Sequence, residues 1–483
     1  MTPPRLRDTA APAEGVPAGA IPPAAAAPGG APVPPAAAPA GVVPAAAVRA
    51  GAPIPATAVP AGAEPAGAVP AGVESAGAVP TGDAPAGTAF GGGAPAGVRT
   101  VQVVRDAEAF DALAADWDDL VDRCAAATPF QSHAWLSSWW RSYGRPGRLR
   151  VVTVRQDGRL VAAAPLMLRR LPTPRYVAVG EGLSDFLDVL LDDAQAEQTA
   201  PVLARALTRG LRLNRPWAVL DLRELRSGGA AHRLAAHWPG AVRLLPDSLC
   251  QYLPGVPMDE VLDRLPGRTA QRNRAKLRKL EAAGVESRDL PAAEVPRAVG
   301  ELLALHERQW RGRGVTPEHL RPRFADHLTR AVTRMVAADR AVVRQYRLDG
   351  ELIACDLTLQ SPDLSALYVY GVHPEVRDRL DVAGMLFREC LAHANRTGRG
   401  EVSLLRGDEP YKQRWRPEQA RSERLVLGGG PGVAVLAAAV RLRSAGVDAL
   451  RDRMPWLVDA RRRLREFRTT AADTPAADAP AGG

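Results

Sequence analysis

Val154-Arg155-Gln156-Asp157-Gly158-Arg159-Leu160-Val161-Ala162 recurs, loosened, 192 residues later as Tyr346-Arg347-Leu348-Asp349-Gly350-Glu351-Leu352-Ile353-Ala354. Each copy is a β-rich run that meets Asp-Gly and then resumes. Asp-Gly tolerates the positive φ angles of a two-residue hairpin turn, so two hairpins are predicted. Their arms are Leu149–Arg155 with Leu160–Leu168, and Ala341–Arg347 with Glu351–Leu359. Apolar periodicity puts helices around both. The expected fold is α+β (mixed α/β): two tandem modules, 98–254 and 255–427, each a mixed, mostly antiparallel sheet flanked by helices. The groove between them is the first place to look for a site.

Outside these modules the composition changes. Residues 1–97 are dominated by Ala, Pro, Gly and Val, and no aromatic precedes Phe90. Such a segment cannot repay its ordering entropy, and proline denies it a ladder, so a disordered, extended arm is expected. Residues 428–483 begin with Gly428-Gly429-Gly430 and read as a basic helical appendage with a disordered tail. The arm holds three arginines against five acids, so the formal charge of +9 leaves +11 for the rest. That excess favours an anionic ligand: a phosphate-bearing cofactor, a nucleic acid or a membrane surface. No apolar run approaches the length of a membrane span. Cys124, Cys250, Cys355 and Cys390 are scattered without a Cys-x-x-Cys, which suits core residues in a reducing cytoplasm.

Along the first module, Asp106 is expected to cap a helix with Phe110, Leu113, Trp117, Leu120 and Val121 on one stripe. Ser132 precedes a helix over His133–Trp140, with His133 assisting that cap. Strands are expected at Tyr176–Val179, Phe186–Leu191, Trp217–Leu222 and Val242–Cys250, and helices at Thr199–Gly210 and Ala230–His237. In the second module, helices are expected at Thr269–Ala283, Val295–Arg311, Arg323–Ala338 and Gly384–Asn395. Strands are expected there at Leu364–Tyr370, Val402–Leu405 and Leu425–Leu427.

Three stretches have chemical potential. From Tyr370 to Met385 a strand enters a loop and then a helix with a small-residue start. Free amides at Val382, Ala383, Gly384 and Met385 would hold phosphate oxygens, with Arg377 and Arg379 assisting. The plain alternative is an ordinary turn with solvated arginines. From Leu405 to Trp415, two acids, three cations and two aromatics crowd the end of a short strand. Asp408 or Glu409 would accept a proton there, and Arg406, Lys412 or Arg414 would hold an anionic group. A surface ion-pair cluster is the competing reading. The third stretch, Phe130–Trp140, is rich in tryptophan at helical spacing, which favours core packing over a sugar platform. His306 and Trp310, four apart on one helix, share a face and would meet substrate in the groove; the plain alternative is a core aromatic beside a surface histidine.

Other chemistries lack support. The sequence has no His-Glu-x-x-His and no Gly-x-Ser-x-Gly elbow, so neither a metal nor a covalent serine is expected. The helix bearing Arg272, Arg274, Lys276, Arg278 and Lys279 raises a nucleic-acid reading, but no aromatics interleave with its charges, so a solvated helix face is the favoured reading.

These stretches resemble the CelD/BcsL-type acetyltransferases of the GNAT superfamily, over about residues 101–427. The likeness rests on PFQSHAWLSSWW at 129–140, SDFLDVLL at 184–191, RNRAKLRKLEAAG at 272–284, LHERQWRGRG at 305–314 and LRGDEPYKQRW at 405–415. It implies tandem GNAT-like modules, as in the FemAB transferases, and acetyl-CoA or another acyl-CoA as donor. In that pattern Arg379 and Gly384 match the pyrophosphate loop, whereas Val382 replaces its middle glycine. Charged tRNA, the FemAB donor, is therefore the alternative, with the basic helix meeting RNA phosphate.

The mechanism so implied is direct attack of an amine, or a sugar hydroxyl, on the donor carbonyl beside the strand ending at Tyr370. A backbone amide there steadies the oxyanion, Asp408 or Glu409 takes the proton, and Tyr370 or Tyr411 protonates the leaving group. A link to exopolysaccharide or envelope biosynthesis follows from the family name, including peripheral association with such a complex. A non-catalytic scaffold in polysaccharide assembly is the third reading.

Overall fold

In the computed structural model, the described residues are 98–170, 173–311, 316–407 and 409–453. The arm at 1–97 and the tail beyond 453, both expected to be disordered, lie outside them. Both Asp-Gly pairs form the expected turns: Asp157 and Gly158 have φ of 50° and 82°, and Asp349 and Gly350 have 53° and 82°. Each turn is tied by the same bond, from Arg155 Nη1 to the Gly158 carbonyl and from Arg347 Nη1 to the Gly350 carbonyl, both 2.8 Å.

Thirteen strands join in one sheet. They are β1 (Arg99–Val104), β2 (Leu149–Gln156), β3 (Arg159–Arg169), β4 (Arg175–Ala178), β5 (Leu190–Leu191), β6 (Val219–Leu225) and β7 (Ala241–Pro254) from the first half. The second half contributes β8 (Glu286–Asp289), β9 (Ala341–Leu348), β10 (Glu351–Gln360), β11 (Leu364–Val372), β12 (Glu401–Arg406) and β13 (Glu418–Gly428). The order is β1-β2-β3-β4-β6-β13-β7-β12-β11-β10-β9-β8, with β5 on β3. The last strand of each half has crossed into the other: β13 pairs with β6, β7 pairs with β12, and the two pair with each other.

This exchange repeats in detail. The parallel pair β4–β6 corresponds to β11–β12. A bulge in β6 puts Glu224 at φ 55°, and a bulge in β12 puts Leu405 at φ 61°. The described residues therefore form one mixed sheet with two similar halves, and two separate modules, as expected at 98–254 and 255–427, are not resolved. The described residues fall within a single unit.

Local signals behave as read at the helix starts. Asp106 accepts from Ala109 N at 2.7 Å, and the Ser132 side chain accepts from Trp135 N. His133 is no cap; it is buried, with Nε2 2.9 Å from the Phe110 carbonyl. Trp117, Trp135 and Phe130 lie in a core that draws on both halves. The helix His133–Tyr143 meets the helix Pro322–Ala337, where Ser138 Oγ donates to the His327 carbonyl at 2.8 Å. All four cysteines are buried and free. The helix Pro431–Arg453 lays Val433 and Ala437 against Val219, Leu245 and Val426.

One expected strand is mostly absent. Of Phe186–Leu191 only Leu190–Leu191 pairs, with Ala162 and Ala163 of β3. β4 ends after four residues, so the preceding chain has no edge to join and arcs through turns at Gly180 and Gly182.

The helix Val295–Trp310 lies directly on β11. A Cβ on Gly371 would stand 2.5 Å from His306 N and 2.6 Å from the Leu302 carbonyl oxygen, neither of which can swing aside. Gly371→Ala is expected to cost about 2 kcal/mol of unfolding free energy in urea denaturation. An unchanged midpoint would mean that the helix does not need this approach.

Candidate functional site

β11 and β12 stop pairing beyond Ala366 and Ser403, yet run on to Val372 and Arg406. A cleft of about 180 Å³ fills the opening between them, lined by Leu367–Tyr370 and Leu404–Arg406 and closed by His306, Trp310, Phe387 and Tyr411. Asp185, His319, Tyr368 and Arg406 belong both to this cleft and to a wider cavity of about 940 Å³. The corresponding region of the first half is closed: Leu187 and Val189 pack with Ala178 and Leu222 in one apolar cluster.

The exposed edge of β11 is partly answered from the helix above. His306 Nδ1 lies 2.7 Å from the Tyr370 carbonyl, and Val372 N donates to Gln309 Oε1 at 3.1 Å. A carbonyl only accepts, so His306 Nδ1 carries the hydrogen and Nε2 presents a lone pair. His319 Nδ1, 3.2 Å away, must then donate to it, which leaves His319 Nε2 as a second lone pair. Burial holds both rings neutral. It lowers the His306 pKa, and together with the neighbouring His306 it lowers His319 to about 4. His319 is fixed by stacking on Phe324 at 4.5 Å.

Arg406 is a clamp. It pairs with Asp185 of the first half and, at 3.1 Å, with Glu224 Oε1. Ser248 and Ser422 donate to the two oxygens of Glu224 at 2.8 and 2.7 Å. Burial pushes the Asp185 pKa up while Arg406 pulls against it. Burial also opposes the Arg406 charge, yet Asp185 and Glu224 together raise its pKa above the ordinary value. With two carboxylates already opposite it, Arg406 is not the free cation expected for an anionic substrate.

The other expected residues divide into three places. Tyr370, Tyr411, His306, Trp310, Glu409 and Lys412 line the cleft with Arg406. Tyr370 and Tyr411 are neighbours there, and burial raises both hydroxyl pKa values. Lys412 is buried and spent on the loop, with Nζ 2.9 Å from the Arg406 carbonyl and 2.7 Å from Glu409 Oε2. Asp408 and the side chain of Arg377 lie outside the described residues.

The turn at 379–385 stands apart. Arg379 is exposed, and none of Arg379, Val382, Ala383, Gly384 and Met385 lines the cleft, although Phe387 of the same helix does. Two of the four amides expected to be free are taken: Val382 N donates to the Leu380 carbonyl and Met385 N to that of Asp381, each at 3.0 Å. The Asp381 carboxylate lies 2.9 Å from the point where a Cβ on Gly384 would stand. Arg414 at 2.6 Å and Lys276 at 3.7 Å hold it there. Arg414 therefore serves this turn and not the cleft.

Sequence reading missed Asp185, Glu224, His319 and Tyr368 as parts of the site. Asp185 lay within the quoted SDFLDVLL run, but its partner is 221 residues away. His319 carries no local signal; only the packing of two helices brings it to His306.

Among the described residues, no helix is long and apolar enough to cross a membrane, and no metal-binding group of His, Cys, Asp and Glu gathers. Residues 267–413 match the family model described as the acetyltransferase (GNAT) domain. That segment contains both strands of the cleft. The match gives the superfamily domain, which is coarser than the CelD/BcsL-type resemblance, and it implies an acyl-CoA-type donor. Solved structures of similar fold include FemX, at 11% identity over 65% of this chain and 96% of that one, with a TM-score of 0.48. The C-terminal domain of a putative lysylphosphatidylglycerol synthetase from Agrobacterium fabrum is 14% identical over 69% and 97%, with a TM-score of 0.43. A tandem GNAT protein from the clavulanic acid biosynthesis pathway is 16% identical over 69% and 99%, with a TM-score of 0.35. No curated protein matches the chain.

Arg406→Met leaves Asp185 and Glu224 facing each other. With 32% of the Arg406 side chain open to water, the expected loss is about 2–3 kcal/mol. A raised carboxyl pKa favours folding below the unfolded value, and that contribution is lost as pH rises through the folded one. Removing Arg406 raises Asp185 further, so the deficit should grow as pH rises from the ordinary carboxylate range towards neutrality in denaturant titrations. A deficit that shrinks over that range would refute the clamp.

Proposed function

We propose that the chain is an acyltransferase that works by direct attack of an amine, or less favourably a sugar hydroxyl, on an activated carbonyl held in the β11–β12 cleft. The observation that carries this reading is the opening itself. Two strands of one sheet part to leave unpaired backbone, and the narrow cleft shares four residues with a cavity roomy enough for a second substrate. In a strand, the N–H and C=O of one residue point to the same side. The Tyr370 carbonyl faces His306, so the Tyr370 amide faces the opening and is the donor we assign to the oxyanion.

The proton of the attacking amine needs an acceptor beside the cleft. Of the two acids read from the sequence, Glu409 lines it but is bonded to Lys412. His319 lines both cavities and keeps an unshared lone pair on Nε2, so we place the proton there, with His306 as the residue that positions it. As the tetrahedral adduct collapses, Tyr370 or Tyr411 gives its proton to the leaving thiolate or alkoxide, and the proton held by His319 restores the tyrosine. The bond formed is the new amide; the bond broken joins the acyl group to its carrier. No acyl-enzyme intervenes.

Two carriers fit the domain. Acyl-CoA is what a GNAT domain implies, and its pyrophosphate would require Asp381 to leave the Gly384 turn. Charged tRNA makes no such demand. The helix Gly267–Ala282 exposes Arg268, Arg272, Arg278 and Lys279, and its Leu277 lies beside Gly384. This observation favours the tRNA reading, which is also the chemistry of the FemAB enzymes. Non-catalytic scaffolding and a place in envelope biosynthesis have no comparable support in the geometry.

His319→Ala should lower kcat about 100-fold or more while leaving donor affinity unchanged. In the wild type, kcat should stay level through neutral pH and fall only as His319 protonates near pH 4, its lowered pKa. A midpoint at the usual histidine value, or full turnover in the variant, would remove His319 from the reaction. For the carrier, single-turnover assays with acetyl-CoA and with aminoacyl-tRNA decide. Reversing the charges at Arg272 and Arg278 should abolish only the tRNA reaction, and retained tRNA-dependent transfer would exclude that helix.

A further inference from the structure

A hollow of about 520 Å³ adjoins the wide cavity, and the two share Trp139, Tyr143 and Glu181 as walls. Five arginines line the hollow: Arg145, Arg148, Arg169, Arg170 and Arg175. Local carboxylates do not match them. Glu181 pairs with Arg169 at 2.5 Å. Asp221 is 3.6 Å from Arg175, but Arg424 already grips both of its oxygens at 2.7 and 2.8 Å. Among the described residues, no carboxylate pairs with Arg145, Arg148 or Arg170.

The wall also carries donors with nothing to bind. Trp139 Nε1, Arg148 Nη1 and Arg175 Nε are buried without an acceptor. Native proteins rarely leave such groups unfilled, and an arginine head re-aims by rotamer changes alone. Arg150 stands beside the same group. Its pKa is lowered, by burial first and then by Arg105, with Arg170 and Arg148 adding to the effect. Cations crowd here without their counter-charges. A ligand rich in acceptor oxygens would answer all of these features, as phosphate does with arginine forks.

We propose that this hollow binds the phosphate or diphosphate group of the acceptor, whose nucleophilic end reaches the cleft through the shared cavity. The role as acceptor site rests on the acyl-transfer reading; the anion site does not. Its ligand is either a soluble nucleotide-type diphosphate or a phospholipid headgroup.

Calorimetry on the full chain with inorganic pyrophosphate tests it. Arg148→Glu and Arg170→Glu should each weaken binding at least tenfold, and Arg148→Gln by less. Arg330→Glu, in the groove between the helices His133–Tyr143 and Pro322–Ala337, should bind as the wild type does. The proposal is overturned if the wild type fails to bind at millimolar pyrophosphate. It is equally overturned if Arg330→Glu loses as much. A protein that binds pyrophosphate through Arg148 but transfers no acyl group supports the anion site and overturns the acyl-transfer reading beneath it. Competition by ADP, or sedimentation with phosphatidylglycerol vesicles but not phosphatidylcholine ones, then names the source. Whichever of these Arg148→Glu abolishes is the ligand.

Discussion

The reciprocal placement of β7 and β13 is the constraint on which the rest of the molecule depends. Each is the final strand of one half and lies against the penultimate strand of the other. Backbone hydrogen bonds therefore cross the middle of the sheet twice, and neither half can keep its own edge satisfied alone. The bulges at Glu224 and Leu405 sit at matching points of this exchange and turn both strand ends toward the same region. Arg406 follows directly from the second bulge, and Glu224 is itself the first. Their ion pair, completed by Asp185, is thus a by-product of the pairing that unites the halves.

Similar halves have acquired different tasks. In the second half β11 runs for nine residues and leaves β12 behind, so the sheet opens. In the first half β4 stops after four residues, and the returning chain fills the equivalent space with Leu187 and Val189. The same returning chain carries Ser184 and Asp185 across to the opening of its neighbour. One half has closed its own gap and furnished a wall for the other. Asp185, Glu224, Arg406 and Lys412 at that wall are paired, which fixes their positions, while His319 Nε2 and the buried Trp310 Nε1 keep capacity to spare.

Much of this plan is legible in the residues. Asp-Gly turns, the Asp106 and Ser132 caps and the tryptophan spacing each express a local preference, and the structure follows every one. The strands expected in the second half agree to within a few residues, except that β13 begins seven residues before the expected Leu425, and β8 has no counterpart among them. Its outer part, Glu418–Glu423, is polar and mostly exposed, so hydrophobic pattern could not announce it. What is not legible is pairing at long range. Nothing in the run Arg406–Trp415 says that Arg406 meets Asp185, or that Arg414 turns away toward Asp381. A count of charges in one loop cannot tell which are already matched by residues two hundred positions earlier. The amides near Gly384 failed for a nearer reason, since a tight approach to the helix lets Leu380 and Asp381 use two of them.

The position of β13 also governs how the chain is made. A ribosome releases β6 and β7 long before it reaches residues 418–428, and those two strands border the place that β13 will occupy. From the release of β7 until that of β13, the centre of the sheet is consequently a vacancy flanked by two bare edges, and β13 is its keystone. A nascent chain halted before Glu418 would present paired outer strands around an unfilled slot, the kind of surface that chaperones hold and that stray β-strands invade.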